Sequence, residues 1–150
     1  MEKLHFDIGI NATPRKVYDV MLSEESYKAW TKEFNPSSSF EGSWEKGAKI
    51  VFLGTDENGN TGGMVSRIRE NIPGKFVSIE HQGIMRGDQE ITSGHDIEAW
   101  AGAREEYTFT EDNEGTLLAV DIDVTEDHRS YFQNTWPKAL NKLKTLCEAK

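Results

Sequence analysis

Along the first ten residues apolar and polar positions alternate: Leu4, Phe6, Ile8 and Ile10 fall on one face, His5, Asp7 and Gly9 on the other. That period of two is the mark of a half-buried strand. Thr13-Pro14 then predicts a helix start. A threonine caps well, and proline suits the first helical position because its missing N–H would have no partner there anyway. Val17, Tyr18 and Met21 recur at helical spacing, and Ser23-Glu24-Glu25-Ser26 opens a second short helix with Tyr27 and Trp30 on one side.

From 38 to 125 the pattern is a meander of strands. Residues 38–44 present Phe40 and Trp44, residues 49–53 present Ile50 and Phe52, and Asp56–Asn60 is a hairpin turn carrying Asn-Gly. Strands over 62–71 and 75–82 flank Pro73-Gly74, the second with Val77, Ile79 and His81 on one face. Residues 83–100 lack a period and hold Gly83, Gly87 and Gly94, so Gly83–Gly94 is expected to be a mobile entrance flap. Strands follow at 103–110, with Glu105, Tyr107 and Phe109 in phase, and at 116–124, with Leu118, Val120, Ile122 and Val124 inward.

The chain closes with a helix over about 127–148. Phe132, Trp136, Ala139, Leu140, Leu143 and Cys147 form one apolar stripe along it. Pro137 lies inside and is expected to kink it. One antiparallel sheet of seven strands has an apolar face that needs a cover, and only the terminal helix is long enough. The expectation is an α+β domain spanning 1–150, with two short helices after the first strand and no repeat or linker.

Composition narrows the partners. Twenty-six acidic against 17 basic residues give a net charge of -9, which argues against nucleic acid or an acidic membrane surface. Four Trp, four Tyr and seven Phe supply large buried units. Cys147 is the single cysteine, so no internal disulfide is expected. No apolar run reaches the roughly 20 residues of a membrane span, and the first residues do not read as a signal peptide. A cytoplasmic protein without membrane insertion is the expectation.

Several local signatures resemble a known family. They are Ile10–Tyr18 near the start, Tyr27-Lys28-Ala29-Trp30, Gly42–Gly47, Gly62–Ser66, and Trp136-Pro137-Lys138-Ala139-Leu140 with Leu143. Their order and spread resemble the activator of heat-shock-protein-90 ATPase homologue family. That family lies within the START, polyketide-cyclase and birch-pollen-allergen-like (SRPBCC) superfamily. The resemblance implies a helix-grip fold, a curved sheet wrapped around the terminal helix with an apolar cavity between them. It does not imply a chemistry, because the superfamily spans lipid carriers, receptors, cyclases and cochaperone domains.

Candidate site residues follow from the inward faces. His81 ends an inward run and is either a hydrogen-bonding contact to a ligand or a satisfied histidine at the sheet margin. Glu105 shares a face with Tyr107 and Phe109, pointing either at the cavity mouth or at solvent. Trp30, Trp100 and Trp136 either border a cavity, where an indole N–H can meet a ligand, or simply plug the core. Phe52, Ile79, Val120 and Phe132 complete the expected wall. His95, Asp96 and Glu98 are the densest potential ligand group, but they lack the spacing of a metal site. No nucleophile elbow and no phosphate-binding glycine loop is present.

The sequence therefore points first to non-enzymatic binding of a small, largely apolar molecule, with no cofactor or metal. A protein-interaction module, with a chaperone or another protein as partner, is the alternative. A cyclase- or hydrolase-like enzyme using His81, Glu105 and Tyr107 comes third.

Overall fold

The computed structural model describes residues 1–149. Its elements run β1 (Glu2–Ile10), α1 (Pro14–Leu22), α2 (Glu24–Trp30), a 3-10 turn (Thr31–Glu33), β2 (Ser39–Gly42), β3 (Lys49–Thr55), β4 (Thr61–Ile72) and β5 (Phe76–Arg86). Then come β6 (Gln89–Ile91), α3 (His95–Glu98), β7 (Arg104–Asp112), β8 (Gly115–Val124) and α4 (Glu126–Glu148). The sheet order is β1-β8-β7-β5-β4-β3-β2, with β6 paired to β5, and every pair is antiparallel. The sheet curves without closing around α4, which is the helix-grip arrangement.

The local devices act as their chemistry requires. Thr13 Oγ1 accepts from the Lys16 amide at 3.2 Å, and Pro14 opens α1. Ser23 ends α1 and begins α2 in one extended residue, which turns the corner between them. Along β8 the alternation is complete: Leu118, Val120, Ile122 and Val124 are buried. Trp136, Ala139, Leu140, Leu143 and Cys147 are buried on α4, so the helix register is the expected one, while Phe132 is half-buried.

The stretch 83–94 differs from the sequence expectation. β5 continues through Gly83 to Arg86, turns at Gly87, and pairs with an eighth strand, β6. Alternation fails there because Gly83 and Gly87 carry no side chain, while the adjacent Ile84 and Met85 both border the cavity. Gly83 is required by β6 itself: a Cβ at that position would lie 2.2 Å from the Ile91 carbonyl oxygen. Bulges between Val65 and Ser66 and between Ile68 and Glu70 bend the β4–β5 pair.

Pro137 does not end α4. Both Pro137 and Gln133, whose carbonyl loses its partner, lie on the exposed side, where water can satisfy the carbonyl. Among the described residues, no helix is long and apolar enough to cross a membrane.

Candidate functional site

Helix α4 does not lie evenly on the sheet. Its C-terminal half packs down with α1: Leu140, Leu143 and Cys147 join Val17, Met21 and Phe109 in one core, and Tyr18 meets the Phe109 ring edge-on at 5.7 Å. Its N-terminal half carries His128, Phe132 and Trp136 over a cavity of about 820 Å³. The opposite walls come from Phe52 and Met64 on β3 and β4, His81 and Ile84 on β5, Glu105 on β7, and Ile122 and Val124 on β8. Tyr27 and Trp30 from α2 and Phe34 just beyond it close one side. Exposed Asp56, Asn60, Arg86, Arg104 and His128 also border the space, so it reaches the surface.

Of the residues singled out in the sequence, Trp30, Phe52, His81, Trp100, Glu105, Phe132 and Trp136 line this cavity. Ile79, Tyr107, Phe109 and Val120 are instead fully packed in the core and do not line it. They lie further along the sheet, where α1 and the second half of α4 fill the concavity. Tyr107 still touches the site through its hydroxyl. His95, Asp96 and Glu98 are exposed on α3.

The three tryptophans separate by their indole N–H groups and exposure. Trp30 is 1% exposed and donates to the Met21 carbonyl at 3.0 Å, so it serves as core as well as wall. Trp100 is half-buried at the rim. Trp136 is 3% exposed, and its Nε1–H has no partner among the described residues. It stands among Phe34 (ring centroids 5.0 Å), Trp30 (5.9 Å), Phe6 (6.2 Å) and Tyr107 (6.3 Å). A buried donor left unpaired costs about 1–3 kcal/mol, and this one has almost no surface open to the cavity, so it belongs to the packing around the site and not to its polar lining.

A chain of polar groups crosses the cavity wall. Ser66 Oγ lies 2.7 Å from His81 Nδ1, and His81 Nε2 lies 3.3 Å from Glu105 Oε1. The Tyr107 hydroxyl donates to the other oxygen, Glu105 Oε2. With Nε2–H donating to the carboxylate, His81 in its neutral form accepts from the Ser66 hydroxyl at Nδ1, which fixes its tautomer. Burial, first, and the Glu105 charge, second, push the Tyr107 phenol well above its ordinary pKa. The same two causes raise Tyr27. Both phenols are thereby held as donors.

The serine, histidine and carboxylate connect in the sense of a hydrolytic triad, yet the geometry is wrong for one. Ser66 is fully buried within β4 and does not line the cavity, so no substrate carbonyl reaches its oxygen. Both ring nitrogens of His81 are engaged by the wall. What the arrangement offers the cavity is a rigid Glu105 carboxylate, 23% exposed, held by two donors.

Sequence reasoning did not single out Tyr27, Phe34, Met64, Ile122 and Val124 as wall residues, nor Ser66 as the partner of His81. Tyr27 shares the inner side of α2 with Trp30, and Ile122 and Val124 continue the inward phase of β8, so those signals were present. Ser66 was not readable: it faces His81 only because the bulge after Val65 shifts the register by one residue.

Comparison with known proteins bears on the fold and family. Solved structures of the same fold include an Aha1 dimer from Colwellia psychrerythraea (22% identity, TM-score 0.73, covering 99% of this chain and 97% of that one). Another is a protein from Rhodobacter sphaeroides (20% identity, TM-score 0.68, 96% and 91% covered), and a third comes from Cytophaga hutchinsonii (18%, 0.69, 99% and 94%). At these identities the likeness is one of fold. No curated protein matches the chain. The family model described as Activator of Hsp90 ATPase homolog 1-like protein matches residues 11–148, and the chain belongs to that family.

Proposed function

We propose that this protein binds a small, largely apolar molecule between the sheet and the N-terminal half of α4, without transforming it. The observation that carries this reading is the cavity itself: about 820 Å³, with Trp30, Phe52, Met64, Ile122, Phe132 and Trp136 in its wall and polar residues at its rim. Ligand sites of drug-sized molecules commonly measure about 300–1,000 Å³ with this kind of lining. The aromatic side chains do not fill it, because α4 descends onto the sheet only beyond Trp136.

The chemistry of the wall supports binding over catalysis. His81 is engaged at both nitrogens, Ser66 is inaccessible, and each oxygen of Glu105 is held by one protein donor. Such groups orient a ligand more readily than they shuttle a proton through it.

The protein-interaction reading has its own support in the family description, activator of the Hsp90 ATPase, and in the acidic balance of the chain. It does not account for the cavity. A thermal-melt screen with lipids and flat aromatic compounds tests the two readings. A true ligand raises the melting temperature in proportion to the logarithm of its concentration, about 2.7 kcal/mol at 100 times Kd. Stabilisation by one compound class supports the ligand reading; no shift across a broad panel moves the protein-interaction reading to first place.

A further inference from the structure

Glu105 is a charged group set into the inner wall of the cavity. Strand β7 is central in the sheet, and Glu105 lies between Ile79 of β5 and Ile122 of β8, in the inward phase of Tyr107 and Phe109. Its side chain keeps 23% exposure, and from that phase the exposure opens into the concavity. The other charged residues around the space are placed differently. Asp56, Arg86 and Arg104 are exposed at the rim, and Arg104 follows the outward phase of β7. Asp123 points outward on β8, paired with Lys3 at 3.1 Å.

The Glu105 carboxylate has capacity left. His81 Nε2, at 3.3 Å, and the Tyr107 hydroxyl each give it one hydrogen bond, one to each oxygen, whereas an ionised carboxylate has about four acceptor sites. Among the described residues no lysine or arginine pairs with it. The wall beside it is aromatic: Phe52 stands 6.3 Å from the His81 ring and 6.0 Å from Tyr27, with Phe132 and Trp136 contributed by α4. Open acceptor sites on an anion, next to aromatic faces, suit a positively charged nitrogen.

We propose that the guest of this cavity is an apolar amine, its protonated nitrogen on Glu105 and its hydrocarbon body against the aromatic wall. This deepens the binding function proposed above and rests on it. A wholly apolar guest would strip water from the carboxylate and leave its charge uncompensated. A guest bearing a carboxylate, such as a fatty acid, would set two like charges together against a poorly hydrated wall, where they repel far more strongly than in water. Arg86 and Arg104 do not relieve this, because water screens them at the rim. A neutral hydroxyl would fill an acceptor site without answering the charge. The net charge of -9 on the chain adds a field that draws cations to the mouth and repels anions.

Three naphthalenes of similar size separate these cases: 2-(aminomethyl)naphthalene, 2-naphthylmethanol and 2-naphthoate, each titrated into the full chain by calorimetry at neutral pH, where the amine is protonated. Transfer out of water alone favours the neutral alcohol. The expected order instead places the amine first, about ten-fold tighter than the alcohol, since a hydrogen bond to a charged group is worth about that factor. The naphthoate is expected to bind weakest. In Glu105→Gln, which keeps the shape and an acceptor oxygen, the lead of the amine over the alcohol should disappear. In Glu57→Gln, which removes an exposed charge from the neighbouring hairpin turn, the lead should persist. These are ratios taken within one protein, so a general loss of stability does not move them. If Glu105→Gln fails to fold, the lead is measured at low and high salt, because a contact in the wall survives screening and a surface field does not. An amine no tighter than the alcohol, a lead unchanged in Glu105→Gln, or a lead abolished by salt overturns the amine assignment and leaves the cavity-binding reading standing. Failure of all three to bind overturns both.

Discussion

Glu105 is the residue around which the site's electrostatics turn. It accepts from His81 and Tyr107, and its charge adds to burial in raising the pKa of both Tyr107 and Tyr27. The raised values have a measurable consequence at high pH. An unfolded tyrosine ionises near 10.0, whereas the folded protein keeps these two protonated. Above that pH the folded state therefore binds more protons than the unfolded one, and stability falls as pH rises. Below pH 10 the contribution is fully present. Each such phenol adds a slope of about 1.4 kcal/mol per pH unit above 10. Urea midpoints measured from pH 8 to pH 11 should fall less steeply in Tyr27→Phe than in the unmodified protein, and an identical slope would contradict the assignment. Ser66→Ala should lose about 1–3 kcal/mol, because His81 Nδ1 is left without its donor in the wall. Equilibrium unfolding checks this, and a loss under half a kcal/mol would mean the contact carries no weight. The phase of Glu105 with Tyr107 and Phe109 left two directions open, cavity mouth or solvent, and the structure has it line the cavity. The Ser66–His81 contact was not legible, since a bulge sets the register there and leaves no mark in the spacing of side chains.

At the scale of elements, α4 divides in two. The helix packs on β1 and α1, and its half from Ala139 onward belongs to the main core, where Leu140 is 2% exposed. Leu140→Ala should lower stability by about 2–5 kcal/mol; a change within the half kcal/mol of ordinary surface substitutions would contradict its core position. The helical stripe gave this register from sequence, because six apolar positions at spacings of three and four leave one face to bury. Residues 83–94 were read as a flap because three glycines and polar side chains obscured the alternation. The structure makes 83–86 the end of β5, bonded to β4 and β6. Amide exchange should accordingly be slow at Gly83 and Ile84 and fast at Thr92–Gly94, where no strand pairing exists. Uniformly fast exchange over 83–94 would restore the flap.

For the molecule as a whole, the fold follows from a sheet whose concave face is longer than one helix can cover in contact. The α+β class, the meander, the family and the covering helix were all legible in the sequence, because alternation, capping residues and one long stripe report them directly. The division between filled and open parts of the concavity was not. It depends on where α4 descends onto the sheet, which explains why Ile79, Phe109 and Val120 are core while Phe52, Phe132 and Trp136 are wall. The cavity of about 820 Å³ opens to the surface past Asp56, Arg86 and His128, so the space is occupied by solvent or by a ligand. Water against walls this apolar is readily displaced, and the displacement favours an apolar guest.

Backbone-amide chemical-shift mapping with a panel of lipids and flat aromatic compounds tests that claim most directly, since four tryptophans make fluorescence ambiguous. The account expects shifts concentrated at Phe52, His81, Glu105, Ile122, Phe132 and Trp136, with the outward residues Ala119 and Asp121 of β8 unmoved. Shifts confined to the outer face of the sheet, or no binding below millimolar concentration by any compound, would contradict it.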